Sequence, residues 1–144
     1  MRLTTFSDYS LRVLIYLAAD PDRRATIAEI ARAFDVSENH LMKVAHFLGK
    51  GGWLNNVRGK GGGLELAKSP EKINVGDVIR AAESNVVVEC FDRATNRCTI
   101  APVCRLKGAL AEAAAAFYKV LDGYTLADIT DNRKALARIM LAVR

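Results

Sequence analysis

Three features of the 144-residue chain predict a mainly α fold with a small β-hairpin, a winged helix-turn-helix followed by a long dimerisation helix. Two short amphipathic helices are separated by a turn of three or four residues. Directly after them comes a glycine-rich turn with alternating segments on both sides, the pattern of a hairpin. Near the C-terminus a long helix is apolar on almost every face. A single helix of that kind would be an aggregation hazard, so a partner helix is the economical answer.

The elements follow in chain order. Leu11, Leu14, Ile15 and Ala18 recur at helical spacing, so residues 7–19 should form an amphipathic helix that ends at Asp20-Pro21. Thr26 and Glu29 make a T-x-x-E capping box that opens a second helix with Ile27, Ile30 and Ala31 inward. Phe34-Asp35-Val36 is a short turn, and Ser37 should cap a third helix whose buried stripe is Leu41, Val44, Ala45 and Leu48. Glycines 49, 51 and 52 should stop that helix. The hairpin then runs from Trp53 to Ala67 around the turn at 59–63. Ser69-Pro70 closes this first unit, so residues 1–70 read as the winged helix-turn-helix domain. Residues 71–103 read as a connecting helix (about 75–83, with Val78, Ile79 and Ala82) and a cysteine loop. Residues 104–144 hold the dimerisation helix, marked by Leu106, Ala109, Leu110, Ala113, Phe117, Val120 and Leu121, and a last helix near 132–142.

Composition narrows the function. A hydrophobic content of 51% is enough for a core, and a chain of this length can bury roughly 70% of its unfolded surface. The net charge of +5 favours a polyanionic partner. Between residues 37 and 68, Lys43, Lys50, Arg58, Lys60 and Lys68 face only Glu38 and Glu65. No apolar run approaches the roughly 20 residues that cross a bilayer, and Asp8 and Arg12 interrupt the N-terminal apolar stretch, so the expectation is a cytoplasmic protein without a membrane partner. No Ser/His/Asp or Cys/His arrangement suggests an enzyme.

On the third helix, Asn39, His40, Lys43 and His46 lie opposite the buried stripe. Such a helix places its N-terminal side chains on base edges: Asn can bond bidentately to adenine, and Lys can reach guanine or phosphate. In Arg58-Gly59-Lys60-Gly61-Gly62-Gly63 the glycines allow close backbone approach, and the two cations can meet phosphates or enter a minor groove. A nucleotide phosphate loop does not fit, because Lys60 is followed by Gly and the turn leads into a strand. The expected DNA-binding set is Ser37, Asn39, His40, Lys43, Arg58, Gly59 and Lys60.

Cys90, Cys98 and Cys104 are the only cysteines and share one polar, arginine-containing loop with the spacing C-x7-C-x5-C. An odd number in a reducing compartment argues against a disulfide framework. Structural zinc generally uses a C-x(2–4)-C knuckle, which is lacking. The wider gaps suit an iron–sulfur cluster, while a thiol redox sensor stays open. Three thiolates leave a four-iron cluster one ligand short. His40, His46, a carboxylate such as Asp8, water or a small thiol could complete it. A basic architectural DNA-binding protein with incidental cysteines is the remaining rival.

Taken together, LTTFSDYSLRVLIYLA, SENHLMKV, VRGKGGGLELA, INVGDVIRAAE, CTIAPVCRLKGAL and LDGYTLADI resemble, nearly end to end, the iron–sulfur-cluster winged-helix transcriptional repressors, in particular their nitric-oxide-sensing branch. The resemblance implies a homodimer paired through the helix at about 104–121 and bound to a palindromic promoter operator. It implies a cluster, 4Fe–4S in preference to 2Fe–2S, ligated by Cys90, Cys98 and Cys104, with Asp8 of the other subunit as fourth ligand. Nitric oxide would degrade that cluster and release DNA, and air exposure can also remove it. Seven residues between Cys90 and Cys98 is a longer gap than is usual in the nitric-oxide branch, which keeps iron or iron–sulfur status as the alternative signal. The cluster-assembly regulators use a histidine beyond the third cysteine, and no histidine follows His46.

Overall fold

The computed structural model describes residues 2–83 and 87–143. Its elements among those residues are α1 (Thr5–Ala19), α2 (Ile27–Phe34), α3 (Glu38–Lys50), β1 (Leu54–Val57), β2 (Gly63–Leu66), α4 (Val75–Ala82), α5 (Arg105–Leu121), α6 (Leu126–Ile129) and α7 (Arg133–Met140). Short 3-10 turns at Pro70–Lys72, Glu89–Phe91 and Leu141–Val143 connect or end them.

Helix α1 starts two residues earlier than its apolar spacing indicates, because Thr4 caps it by accepting from the Ser7 N–H. The capping box of α2 forms as expected: Thr26 accepts from the Glu29 N–H, and Glu29 accepts from the Thr26 N–H at 2.7 Å. Asp35 turns the chain through a left-handed conformation, φ 52°, and α3 follows. Ser37 does occupy the N-cap position of α3, but its side chain makes no capping hydrogen bond. The hydroxyl stays exposed at the helix start. Gly49 does not stop α3 either; the helix runs through it to Lys50 and ends at Gly51.

The hairpin is antiparallel, with Leu54 opposite Leu66 and Val57 opposite Gly63. A third short segment joins it, since Ala25 and Leu64 exchange backbone hydrogen bonds of 3.0 and 2.7 Å. Gly63, at φ 142°, makes this contact possible: a Cβ there would stand 2.9 Å from the Ala25 carbonyl oxygen. The wing is therefore tied to the loop that precedes α2.

One buried cluster centres on Val13, Leu14 and Leu17 of α1, Ile30 of α2, and Leu41, Val44 and Leu48 of α3. Leu54 and Leu64 of the wing, Ile73 and Val78 around α4, Leu126 of α6 and Met140 of α7 belong to the same cluster. The expected stripe of α3 is buried in full. Helix α6 was not foreseen. It is opened by a second capping box, Thr125 with Asp128. Helix α5 differs from the rest, because none of its residues is buried. Its C-terminal end is held to α4 by Arg80, whose guanidinium pairs with both Asp122 oxygens at 2.9 Å and lies 4.7 Å over the Tyr118 ring. No helix among the described residues is long and apolar enough to cross a membrane.

Candidate nucleic-acid interface and cysteine loop

Burial of Leu41, Val44, Ala45 and Leu48 fixes the rotation of α3. At about 100° per residue, Asn39, Lys43, His46 and Lys50 then point away from the core. All four are exposed. His40 lies on one flank of this face, its ring 6.4 Å from Tyr9, and with Thr5, Phe6 and Lys43 it lines an apolar cleft against α1. The opposite flank faces the wing. There Met42, His46, Lys50, Asn56 and Arg58 border an open groove of about 490 Å³ floored by Ile27, Ala45 and Leu54.

Arg58, Gly59 and Lys60 are exposed at the wing tip. The tip turns through Gly59 (φ 91°) and Gly61 (φ 74°), with the Gly62 N–H bonded to the Gly59 carbonyl at 2.9 Å. Arg24, which the sequence reading passed over, braces this turn. Its Nε donates to Glu65 at 2.6 Å and its Nη1 to the Gly61 carbonyl at 3.3 Å. Glu65 is thereby paired, and among the described residues no carboxylate forms a salt bridge with Arg58 or Lys60 at the tip. Only a long-range contact reveals this role, because residue 24 lies far from the wing in sequence.

The cysteines stand between α4 and α5. Cys90, Cys98 and Cys104 are free and half-buried. Cys90 lies within the turn Glu89–Phe91. The Cys98 N–H donates to the Asn96 side chain at 2.9 Å, and Cys104 is the N-cap residue of α5. The Cys104 side chain makes no capping bond, so the helix's own N–H groups do not engage its sulfur. Among the described residues, the hydrogen bonds of 89–104 close within the loop, for example Ala94 N–H to Asp92 at 2.9 Å and Arg97 N–H to Glu89 at 2.7 Å. Three uncommitted soft sulfur donors on a locally tied loop, with Arg93, Arg97 and Arg105 beside them, fit a thiolate-held, negatively charged group. Among the described residues no three His, Cys, Asp or Glu side chains converge well enough to hold one metal ion. Asp8 lies on the half-exposed face of α1, paired with Arg12 at 2.8 Å, and is not part of the loop of its own chain.

Near the start of that loop Glu83 joins α4 to the first turn of α1. It accepts from the Thr4 N–H at 2.6 Å, the Thr4 hydroxyl at 3.0 Å and the Ser7 hydroxyl at 2.6 Å. Burial would raise its pKa, but these donors hold it below the ordinary value.

The fold and these surfaces define a winged helix-turn-helix regulator of the kind that binds DNA. The whole-chain comparisons agree. Residues 3–132 match the model of the Rrf2 family, described as an iron-dependent transcriptional regulator, and the chain belongs to that family. It is 47% identical over 142 residues to the HTH-type transcriptional regulator NsrR of Bacillus subtilis, covering 97% of each chain. It is 46% identical to the regulator of the same name from Halalkalibacterium halodurans, again over 97% of both. Among solved structures it is similar to T. potens IscR, with a TM-score of 0.74 and 26% identity over 92% of this chain and 88% of that one. CymR, the global cysteine regulator of B. subtilis, superimposes with a TM-score of 0.71 at 25% identity, covering 92% and 98% of the two chains. The protein is a DNA-binding transcription regulator, not an enzyme.

Proposed function

We propose that this regulator is a homodimeric repressor that holds a palindromic promoter operator and releases it when nitric oxide reaches an iron–sulfur cluster. Cys90, Cys98 and Cys104 of one chain hold the cluster, and Asp8 of the partner subunit is the fourth ligand. A four-iron cluster suits three thiolates and one oxygen donor. The observation that carries this reading is the junction of a three-cysteine loop with α5, a 17-residue helix none of whose residues is fully buried in its own chain. Its near-full-length similarity to regulators named NsrR supports the same reading.

When bound, the cluster would supply an iron that Asp8, an oxygen donor weaker than a thiolate, would leave open to nitric oxide. The chain's own residues account for the coupling to DNA. In sequence Asp8 lies between Phe6 and Tyr9, and these two rings reach α3: Phe6 meets Phe47 edge-on at 5.1 Å and the Tyr9 ring lies tilted 6.4 Å from that of His40. Drawing Asp8 toward a partner loop competes with its ion pair to Arg12 and shifts α1 against the recognition helix. Glu83 restrains the same end of α1 from the loop side. Two chains paired through α5 then present two recognition helices about 34 Å apart, and a small rotation of α1 changes that spacing.

Replacing the ligands tests the assignment. Cys98→Ala should give a dimer that assembles no stable cluster. Asp8→Ala should acquire one on three thiolates, with an altered visible spectrum and altered nitric oxide response. An Asp8→Ala protein with unchanged spectrum and unchanged sensitivity would remove Asp8 from the ligand set. A second reading, iron status as the signal, is favoured by the family's iron-dependent description and by the long Cys90–Cys98 gap. Release of DNA by iron chelation, with nitric oxide inert, would select it.

A further inference from the structure

Met42 does not follow the pattern of its helix. Leu41, Val44 and Leu48 are buried and Phe47 packs on Phe6, yet Met42 is 51% exposed. At about 100° per residue it lies roughly 110° from the centre of the buried stripe, on the flank that faces the wing. There it projects beside His46, Asn56 and Arg58 along the open groove between α3 and the hairpin. Lys50 and Arg58 make the groove's edges basic, which suits a phosphate strand running past both. Met42 is also in the first half of α3, five residues beyond the N-cap Ser37, where a recognition helix meets base edges.

Of the groups that base pairs present in the major groove, one is apolar: the C5 methyl of thymine. A flexible, polarisable thioether adapts well to such a small target. The polar neighbours Asn39, Lys43 and His46 can bond to edge donors, acceptors or phosphates, but none offers a methyl group a comparable surface. We propose that Met42 is a specificity-determining residue that packs on the methyl group of one thymine in each operator half-site. The proposal rests on the reading that α3 enters the major groove and adds the chemistry of one base position to it.

The test uses a duplex recovered from a randomised pool by the wild-type dimer, with each thymine replaced in turn by deoxyuridine, which lacks only the methyl group. Wild-type protein should bind about fourfold more weakly when one particular thymine is changed, the factor that loss of one buried methyl-sized group gives. Met42→Ala should lose a similar factor on the thymine duplex and bind the two duplexes equally. Met42→Leu should keep the discrimination. Because the side chain is exposed, neither variant disturbs the core. Continued discrimination by Met42→Ala, or none by the wild type at any position, overturns the proposal. The salt dependence of Arg58→Ala on the same duplex separates the two levels. A slope lowered by the variant, with no thymine discrimination, removes only Met42; an unchanged slope removes Arg58 from the phosphate contacts. Failure to recover any preferred sequence overturns both levels.

Discussion

Arg58 follows the first arm of the wing, exposed beside a turn where the Glu65 carboxylate is already engaged by Arg24. A cation in that position gains most from a phosphate. Arg58→Ala should therefore weaken binding to every duplex alike and lower the slope of log affinity against log salt by about one unit. Titrations at several salt concentrations measure this directly, and an unchanged slope would take Arg58 out of the phosphate contacts. Glu29 shows residue chemistry acting on stability instead. Burial would raise its pKa, but the Thr26 N–H and hydroxyl and the Arg23 guanidinium hold it below the ordinary glutamate value. A carboxyl depressed on folding stabilises the protein above its unfolded pKa, and that contribution fades as pH falls through the folded value. Glu29→Gln should thus destabilise the protein near neutral pH, and its difference from wild type should shrink in acid below about pH 4. Chemical denaturation across pH reads this out; a pH-independent difference would show that the carboxylate charge contributes nothing.

At the scale of elements, the legible parts of the chain are those where a local signal agrees with the global packing. Thr26 and Glu29 announce α2, and the apolar spacing of α3 gives both its buried stripe and, by subtraction, its outward face. The wing is readable because alternation and glycine turn coincide. Helix α6 carried a signal of the same kind, Thr125 with Asp128, but only four helical residues follow it, too few for a periodicity to show. The backbone bridge of Ala25 to Leu64 leaves no pattern at all, being one residue long. Ser37 has the type and position of a cap, yet its hydroxyl does not make the bond. The cysteine loop shows the sharpest limit. Its donor chemistry is plain in the spacing, whereas among the described residues no three donor side chains converge on one metal ion. Arg80 illustrates the long-range remainder. It fixes the direction of α5 through Asp122, 42 residues away.

For the whole molecule, the proposed dimer rests on the exposed surface of α5. Leu106 is 64% and Val120 61% exposed, and Val103, just before the helix, is 82% exposed. Leu106 lies outside the buried cluster found among the described residues, so Leu106→Glu should leave the monomer folded while breaking the dimer. Sedimentation should then show a single chain at micromolar concentration and operator affinity should collapse, because two half-sites are no longer read together. A wild-type protein that sediments as a monomer would contradict the architecture itself. The proposed ligation by the partner's α1 requires that pairing through α5 bring each cysteine loop to the other chain. The coupling of cluster to DNA is the centre of this account, and one anaerobic experiment addresses it. Nitric oxide is titrated into the freshly purified dimer on a fluorescent operator duplex, with visible absorption and anisotropy read from the same sample. The account predicts a broad visible band that falls in step with release of the duplex. A colourless, zinc-loaded protein, or a duplex that stays bound after the band has gone, would contradict it.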